Sequence, residues 1–364
     1  MSVIQSFETH VVAVPREAGP STDIADKPPA TVFVTLQLRT NDGIEGIGHA
    51  TLVPWSMNNA LKAAVDALAQ EVVGQNPMDI ESIVADLHWA AGAGSTAGVA
   101  VHAIAGIEVA LWDIRGKITG QPVHKPLGGF TDRLKVYASG SLWRPHQPED
   151  IPETGRAFVE QGFRAMKLRL GGESSPTKEV ERLRLLREAV GNDIDLMVDI
   201  NRGWSVNQAV TIGKQLEEYG LYWLEDPVDH LDLEGQARVA DALTVPIAAG
   251  EYHYGVEPFR YMLERRSIDI VMIDLMRVGG LTRWMKVAHL AETFNVPVVS
   301  HLVPEFLCHA MAAIPNGIYT EYMPWSLPLY KEPPKIENGE LVLPQTPGLG
   351  LEFDEDAIRL YRMD

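Results

Sequence analysis

Hydrophobic and polar positions change rhythm twice along the chain. In the first part, Thr31–Arg39 alternates as a strand does. A turn at Asn41-Asp42-Gly43 and a return strand through Gly48 complete a hairpin. A Pro-, Ala- and Asp-rich loop, Pro15–Ala30, precedes it. Asn59–Val73, Pro77–Leu87 and Val99–Lys117 follow with helical spacing, which predicts an α+β unit over residues 1–125. From about Leu134 short β-rich runs alternate with amphipathic helices. The runs are Leu134–Ser139, Arg164–Leu170, Asp195–Ile200, Tyr222–Glu225, Pro246–Ala249, Asp269–Leu275, Pro297–Ser300 and Gly317–Glu321. Between them, Thr177–Val190 sets Val180, Leu183, Leu186 and Val190 on one face. Eight such runs, with helical segments between most of them, predict an α/β fold of the TIM-barrel type over residues 126–322. Residues 323–364 return to strand and turn composition. Leu341–Leu343 and Leu349–Phe353 read as a hairpin around Pro344 and Gly348, expected to pack back on the N-terminal unit.

Composition narrows the function classes. Of 364 residues 46% are hydrophobic, enough for a large core, and the net charge is −18. Such a surface repels phosphate backbones, so nucleic acid and anionic membranes are unexpected partners. No apolar stretch reaches the roughly 18–20 residues of a membrane span. The longest, Gly98–Ala110, is interrupted by His102 and Glu108 and reads as a buried helix. One cysteine, Cys308, and no basic–apolar leader between Met1 and Val14 point to a reducing cytoplasm.

In a barrel of this type the reacting groups stand at the C-terminal strand ends. Here those ends are Lys167-Leu168-Arg169, Asp199-Ile200-Asn201, Glu225-Asp226-Pro227, Gly250-Glu251, Asp274, His301 and Glu321. Three carboxylates on successive strands repel one another unless a cation holds them. All-oxygen ligation by Asp199, Glu225 and Glu251 suits Mg²⁺, or Mn²⁺. A metal and Lys167 together would offset charge developing on a substrate carboxylate as its α-proton leaves. His301 is the candidate base, with Asp274 fixing its tautomer from the neighbouring strand. Asp226 reads as a turn residue, and His102, His124 and His289 as structural. Met272, Ile273, Leu275 and Met276 read as barrel packing. His253 and Tyr252, directly after Glu251, and Trp55 and Trp143 are candidates to shape the pocket, with loop packing as the competing reading.

These residues resemble the enolase superfamily, in particular its mandelate racemase subgroup. Ala110–Gly129 (ALWDIRGKITGQPVHKPLGG) looks like the family's junction between cap and barrel. Val198–Asn201 (VDIN), Leu224–Pro227 (LEDP) and Gly250-Glu251 look like its metal-ligand sites. Asp274 with Arg277-Val278-Gly279-Gly280 and then Ser300-His301 looks like its Asp–His dyad, and Pro347–Asp356 resembles its C-terminal segment. The resemblance implies a modified (β/α)₇β barrel and an α+β capping domain. Loops Pro15–Ala30 and Thr51–Met57 would close over the substrate. It further implies one Mg²⁺ on Asp199, Glu225 and Glu251, an enolate intermediate and homo-oligomeric assembly. Glu321 matches the position that donates a hydrogen bond to the substrate carboxylate, and Asn201 a polar residue beside the metal. A lysine stands at the position of Asp274 in the muconate-lactonising branch, so Asp274 favours the mandelate racemase branch.

One departure separates the possible reactions. The family's strand-two motif is commonly Lys-x-Lys, whereas this chain has Lys167-Leu168-Arg169. Guanidinium, with a pKa above about 12, rarely releases its proton. Inversion of a centre needs competent groups on both faces of the substrate, while elimination needs one base. The expectation is therefore dehydration of an aldonate or aldarate to a 2-keto-3-deoxy acid. A racemase, epimerase or lactone cycloisomerase on the same scaffold is the runner-up. A catalytically silent metal-binding barrel and an unrelated metal-dependent aldolase are the other readings.

Overall fold

A computed structural model of the chain describes residues 2–15 and 30–363. Apart from its two end residues, the Pro15–Ala30 loop lies outside the described residues. The cap begins with three antiparallel strands, β1 (Ile4–Pro15), β2 (Ala30–Thr40) and β3 (Glu45–Ala50), in the order β1-β2-β3. β1 is absent from the sequence reading. Its residues alternate only loosely, and the register with β2, from Phe7↔Leu38 to Pro15↔Ala30, makes it a strand. Helices α1 (Asn58–Val72) and α3 (Val99–Thr119) cover the sheet, and α2 (Ile80–Ala91) packs against them. α3 is buried almost all round, as its apolar run predicts. It lies so close to β3 that a Cβ on Gly106 would stand 2.9 Å from the His49 carbonyl.

The short α4 (His124–Leu127) leads into the barrel. Its parallel strands are β4 (Arg133–Ala138), β5 (Ala165–Arg169), β6 (Asp195–Asp199), β7 (Leu221–Glu225), β8 (Ile247–Ala249), β9 (Ile270–Asp274), β10 (Val298–His301) and β11 (Gly317–Tyr322). They pair in chain order, and β11 closes on β4 through Thr320↔Val136, Glu321↔Tyr137 and Tyr322↔Ala138. Between them run α5 (Ile151–Glu160), α6 (Pro176–Val190), α7 (Val206–Leu216), α8 (Leu233–Ala242), α9 (Glu257–Glu264), α10 (Leu275–Val278) with α11 (Leu281–Thr293), and α12 (Pro304–Met311). No separate helical layer follows β11 before the tail, so the barrel is (β/α)₇β. Among the described residues no helix is long and apolar enough to cross a membrane.

Strand alternation sends one set of side chains inward. Tyr137, Met197, Trp223, Met272 and Tyr319 pack together there, with the Tyr137 and Trp223 rings edge-on at 5.3 Å. They fill the barrel beneath the strand ends, so the rim has a solid floor.

The junction motif ties three parts of the chain together. Glu108 of α3 accepts hydrogen bonds from the backbone N–H groups of Leu281 (2.5 Å) and Thr282 (2.9 Å), the first residues of α11. A cap residue thus closes the N-terminus of a barrel helix, where free N–H groups favour an acid. Asp113 accepts from Ile47 N–H of β3 and from Leu349 N–H of the tail. Gly116 is required at that contact, because a Cβ there would lie 2.7 Å from Gly348 Cα.

The tail differs from its expectation. The hairpin is formed by β12 (Lys335–Glu337) and β13 (Glu340–Val342), around Asn338-Gly339, and not by Leu341–Leu343 with Leu349–Phe353. Asn338 and Gly339 both have positive φ, 53° and 78°, which suits a two-residue turn. Leu349–Phe353 makes only isolated bridges to β-like neighbours, Pro122↔Gly348 and Tyr330↔Phe353, at its edges. The hairpin joins the barrel, since β13 pairs with β4 through Leu341↔Leu134. Two later stretches return to the cap: Leu349 N–H bonds Asp113 of α3, and α13 (Glu355–Tyr361) is followed by a Met363 N–H bond to the Val11 carbonyl.

Candidate active site

Register delivers the strand-end groups to one rim. Arg169 lies opposite Asp199, Asp199 opposite Glu225, and His301 opposite Asp274. Lys167, Asp199, Glu225, Glu251, Asp274, His301 and Glu321 are all buried. Burial of so many charges is tolerable only where opposite charges face them.

Each carboxylate faces a cation. Lys167 Nζ donates to Glu225 Oε1 at 2.7 Å and lies 3.0 Å from Glu321 Oε1. Burial works against the ammonium, but Glu225 and Glu321 outweigh it and hold the Lys167 pKa well above its usual value. Glu225 is pushed up to about 8, by burial first and by Asp199, Glu251 and Glu321 against the pull of Lys167. Arg169 bonds Asp199 and lies over the Trp143 ring, 4.6 Å from its centroid. Its guanidinium pKa is raised: Asp199 outweighs the effect of burial. Trp143 in turn stacks on Trp325 at 6.2 Å.

His301 sits between two acids. Nδ1 is 2.6 Å from Asp274 Oδ2, and Nε2 is 2.9 Å from Glu251 Oε2. Burial lowers the imidazole's affinity for protons, yet Glu251 and Asp274 raise its pKa well above the ordinary range. Asp274 is held as a carboxylate: burial opposes this, and Arg277 and His301 overcome it. Arg277 N–H donates to Asp274 Oδ1 at 2.8 Å, and its Nη1 donates to the Glu251 carbonyl at 2.9 Å.

Glu321 accepts a 2.7 Å bond from the Leu302 N–H. Burial alone would raise its pKa, but Lys167 and His301 bring it below the usual value. As placed it is an acceptor, and donation to a substrate would first require a proton. Asn201 donates its side-chain amide to the Tyr252 hydroxyl. His253 packs against Phe259 and His230, at 6.0 and 5.6 Å, and burial lowers its pKa to about 4. Those neighbours are the barrel helix α9 and the loop after β7. His102 joins cap to rim through the Thr51 carbonyl and the Tyr254 hydroxyl.

Asp226 is not an ordinary turn residue. It is buried with a φ of 40°, and Oδ2 has no hydrogen-bond partner. Burial, then Glu251 and Glu225, push its pKa well up. The local sequence Asp-Pro signals a turn and hides this. Two further residues escape the sequence reading. Arg277 was visible only as part of a motif. Trp223 donates Nε1–H to Glu225 Oε2 at 3.1 Å. Trp223 stands two residues before Glu225, so strand alternation alone places it on the same face, directly beneath.

Among the described residues no group of three acids, histidines or cysteines is already arranged to hold a metal ion. Asp199, Glu225 and Glu251 are instead turned to Arg169, Lys167 and His301. The donor set still fits a hard divalent cation. It is all carboxylate, it comes from three adjacent strands, and Glu251 Oε2 is buried without an aligned hydrogen bond.

The chain matches two family models. One is described as "Mandelate racemase / muconate lactonizing enzyme, N-terminal domain", over residues 6–128. The other is "Enolase C-terminal domain-like", over residues 150–357. It is 32% identical to L-talarate/galactarate dehydratase of Salmonella typhimurium, over 90% of this chain and 82% of that protein. It is 31% identical to D-xylonate dehydratase of Haloferax volcanii, over 99% and 93%. Among solved structures, L-talarate dehydratase from Polaromonas sp. JS666, complexed with Mg and L-glucarate, superposes with a TM-score of 0.91. The two are 26% identical, and the match covers 100% of this chain and 98% of that one.

Proposed function

Because the chain belongs to the mandelate racemase / muconate lactonizing enzyme family, we propose that it is a Mg²⁺-dependent hydro-lyase. It abstracts the proton α to a sugar-acid carboxylate and eliminates the β-hydroxyl to give a 2-keto-3-deoxy acid. The observation that carries this reading is the pairing of His301 Nδ1 with Asp274 at 2.6 Å. It leaves Nε2, which here meets Glu251 and would be released once Glu251 holds the metal, as the ring nitrogen to meet a substrate.

Asp199, Glu225 and Glu251 would hold the Mg²⁺, and Trp223 orients Glu225. When bound, the ion supplies positive charge beside the substrate carboxylate. Lys167, fixed as an ammonium, adds a second positive charge there. Asp274, kept ionised by Arg277, orients His301 and supports it as the base. The α-C–H pair first moves into the carboxylate as an enolate, and its return forms the new C=C bond as the β-C–O bond breaks. The hydroxyl departs as water with a proton from the imidazolium, and the enol ketonises. Glu321 and Asn201 line the substrate side, and His253 supports the loop that carries Glu251. Arg169, a raised-pKa guanidinium locked on Asp199, supports elimination over two-face proton exchange. Isomerisation is the second reading and shares every residue except a second base.

We also read residues 1–125 as the cap, 126–322 as the catalytic barrel and 323–364 as the C-terminal segment packing back on the cap. A cytoplasmic homo-oligomer completes the proposal, checked by light scattering. The direct test screens sugar acids with Mg²⁺ for 2-keto products. Turnover is expected to vanish in His301→Asn. Efficient racemisation of a 2-hydroxy acid, with solvent deuterium in both enantiomers, would refute elimination.

A further inference from the structure

Five cations stand round the rim, and four of them have protein acceptors. Lys167 bonds Glu225, Arg169 bonds Asp199, and Arg277 bonds the Glu251 carbonyl. Arg144 bonds the Leu170 and Ile200 carbonyls. Arg202 has no carboxylate or carbonyl among the described residues. Its guanidinium carbon lies over the Tyr252 ring, 3.7 Å from the centroid, and its Nε is buried without a hydrogen-bond partner. A buried, unmatched donor on a charged group is costly, and such a donor persists where something outside the chain answers it.

The backbone points the same way. Arg202 has a φ of 64°, a left-handed conformation that disfavours any side chain with a Cβ. It follows Asn201, at 49°, and its N–H is tied to the Asp226 carbonyl at 2.7 Å. Glycine or asparagine would sit there with less strain. Outliers of this kind cluster at active sites and ligand clamps. Tyr252 fixes the position further, because Asn201 donates to its hydroxyl and Arg277 lies over its ring at 5.0 Å. The guanidinium is therefore held, planar and uncommitted, three residues beyond Asp199.

Resting on the dehydratase reading, we propose that Arg202 binds the distal carboxylate of a diacid, so that the substrate is an aldarate and not an aldonate. The reacting carboxylate already has Lys167 and the metal site. A neutral terminal hydroxymethyl group would leave Arg202 unmatched. One guanidinium over one aromatic ring suits a planar monoanion, whose two oxygens it can bridge. A terminal phosphate, with nearly two charges, would call for a second free cation.

The test compares galactarate with galactonate, glucarate with gluconate, and adds 6-phosphogluconate, using the full chain with Mg²⁺. Turnover and ligand-induced shifts in melting temperature are both read. Wild type is expected to favour the diacid of its productive pair. Arg202→Met should lower kcat/KM for that diacid by about 10²-fold, mainly through KM, and by at least ten-fold less for the monoacid. Arg202→Lys should recover part of the loss. Wild-type preference for a monoacid or for the phosphate overturns the diacid assignment while leaving dehydration intact, and needs no variant to fold. Equal losses on both members of a pair overturn it too. Absence of turnover on every sugar acid removes the dehydratase reading itself, and this assignment with it.

Discussion

Glu305, at the start of α12 and four residues after His301, offers a perturbation with a definite sign. It is fully buried, and its Oε1 meets His49 of β3 at 2.8 Å and accepts from Ser326 of the tail at 2.5 Å. One carboxyl thus joins cap, barrel and tail. Burial raises its pKa from 4.5 to about 7. A group with a raised folded-state pKa binds its proton more tightly when folded. Its contribution to stability is complete below the unfolded value and is lost as pH rises through the folded one. At 1.36 kcal/mol per unit, the loss across that window is about 3 kcal/mol. Glu305→Gln keeps the size of the neutral acid and cannot ionise. Relative to wild type it should gain about 2.5 kcal/mol between pH 5 and pH 8, or about 3 °C in Tm for a chain of this length. His49, held down to about 3 by burial, has the opposite sign, and because it touches Glu305 the comparison is repeated in a His49→Gln background to remove their coupling. Scanning calorimetry at the two pH values decides the matter. A wild-type-to-variant gap that does not change with pH would show that Glu305 is not held as a neutral acid, and the argument from its burial would fall.

Other outcomes follow from the same contacts. Glu108→Ala removes the acceptor of two α11 N–H groups and should destabilise by about 3 kcal/mol in urea titration; a loss below 1 kcal/mol would mean that water replaces the cap. Trp223→Phe deletes the donor to Glu225 and should weaken Mg²⁺ binding about ten-fold by isothermal calorimetry. Unchanged affinity would make Trp223 mere filling. Lys167→Met leaves Glu225 and Glu321 facing one another, so α-proton exchange should fall at least about 10³-fold with Mg²⁺ still bound; solvent-deuterium uptake read by NMR tests it.

The barrel was legible because its signals are local. Strand alternation, helical spacing and a charged or ionisable group at seven of the strand ends are all signals carried within a few residues, and the order of the motifs follows from the chain itself. β1 and the tail hairpin were not legible on those terms. β1 becomes a strand by pairing with β2, and Asn338-Gly339 turns the tail earlier than Pro344 and Gly348 suggested.

The metal-site candidates, the dyad and the substitution of arginine for the second lysine were therefore fixed by the amino-acid order alone. Which cation closes which carboxylate was decided only in three dimensions, by register across β5, β6 and β7 and across β9 and β10. So was the contrast between Asp226 and Arg202. Asp226 reads as a turn residue and Arg202 carries no signal of its own in the sequence, yet one is a buried acid among acids and the other a guanidinium without an acceptor among the described residues. Charge pairing in a buried rim depends on neighbours tens of residues away, and no local pattern encodes which of them will be missing.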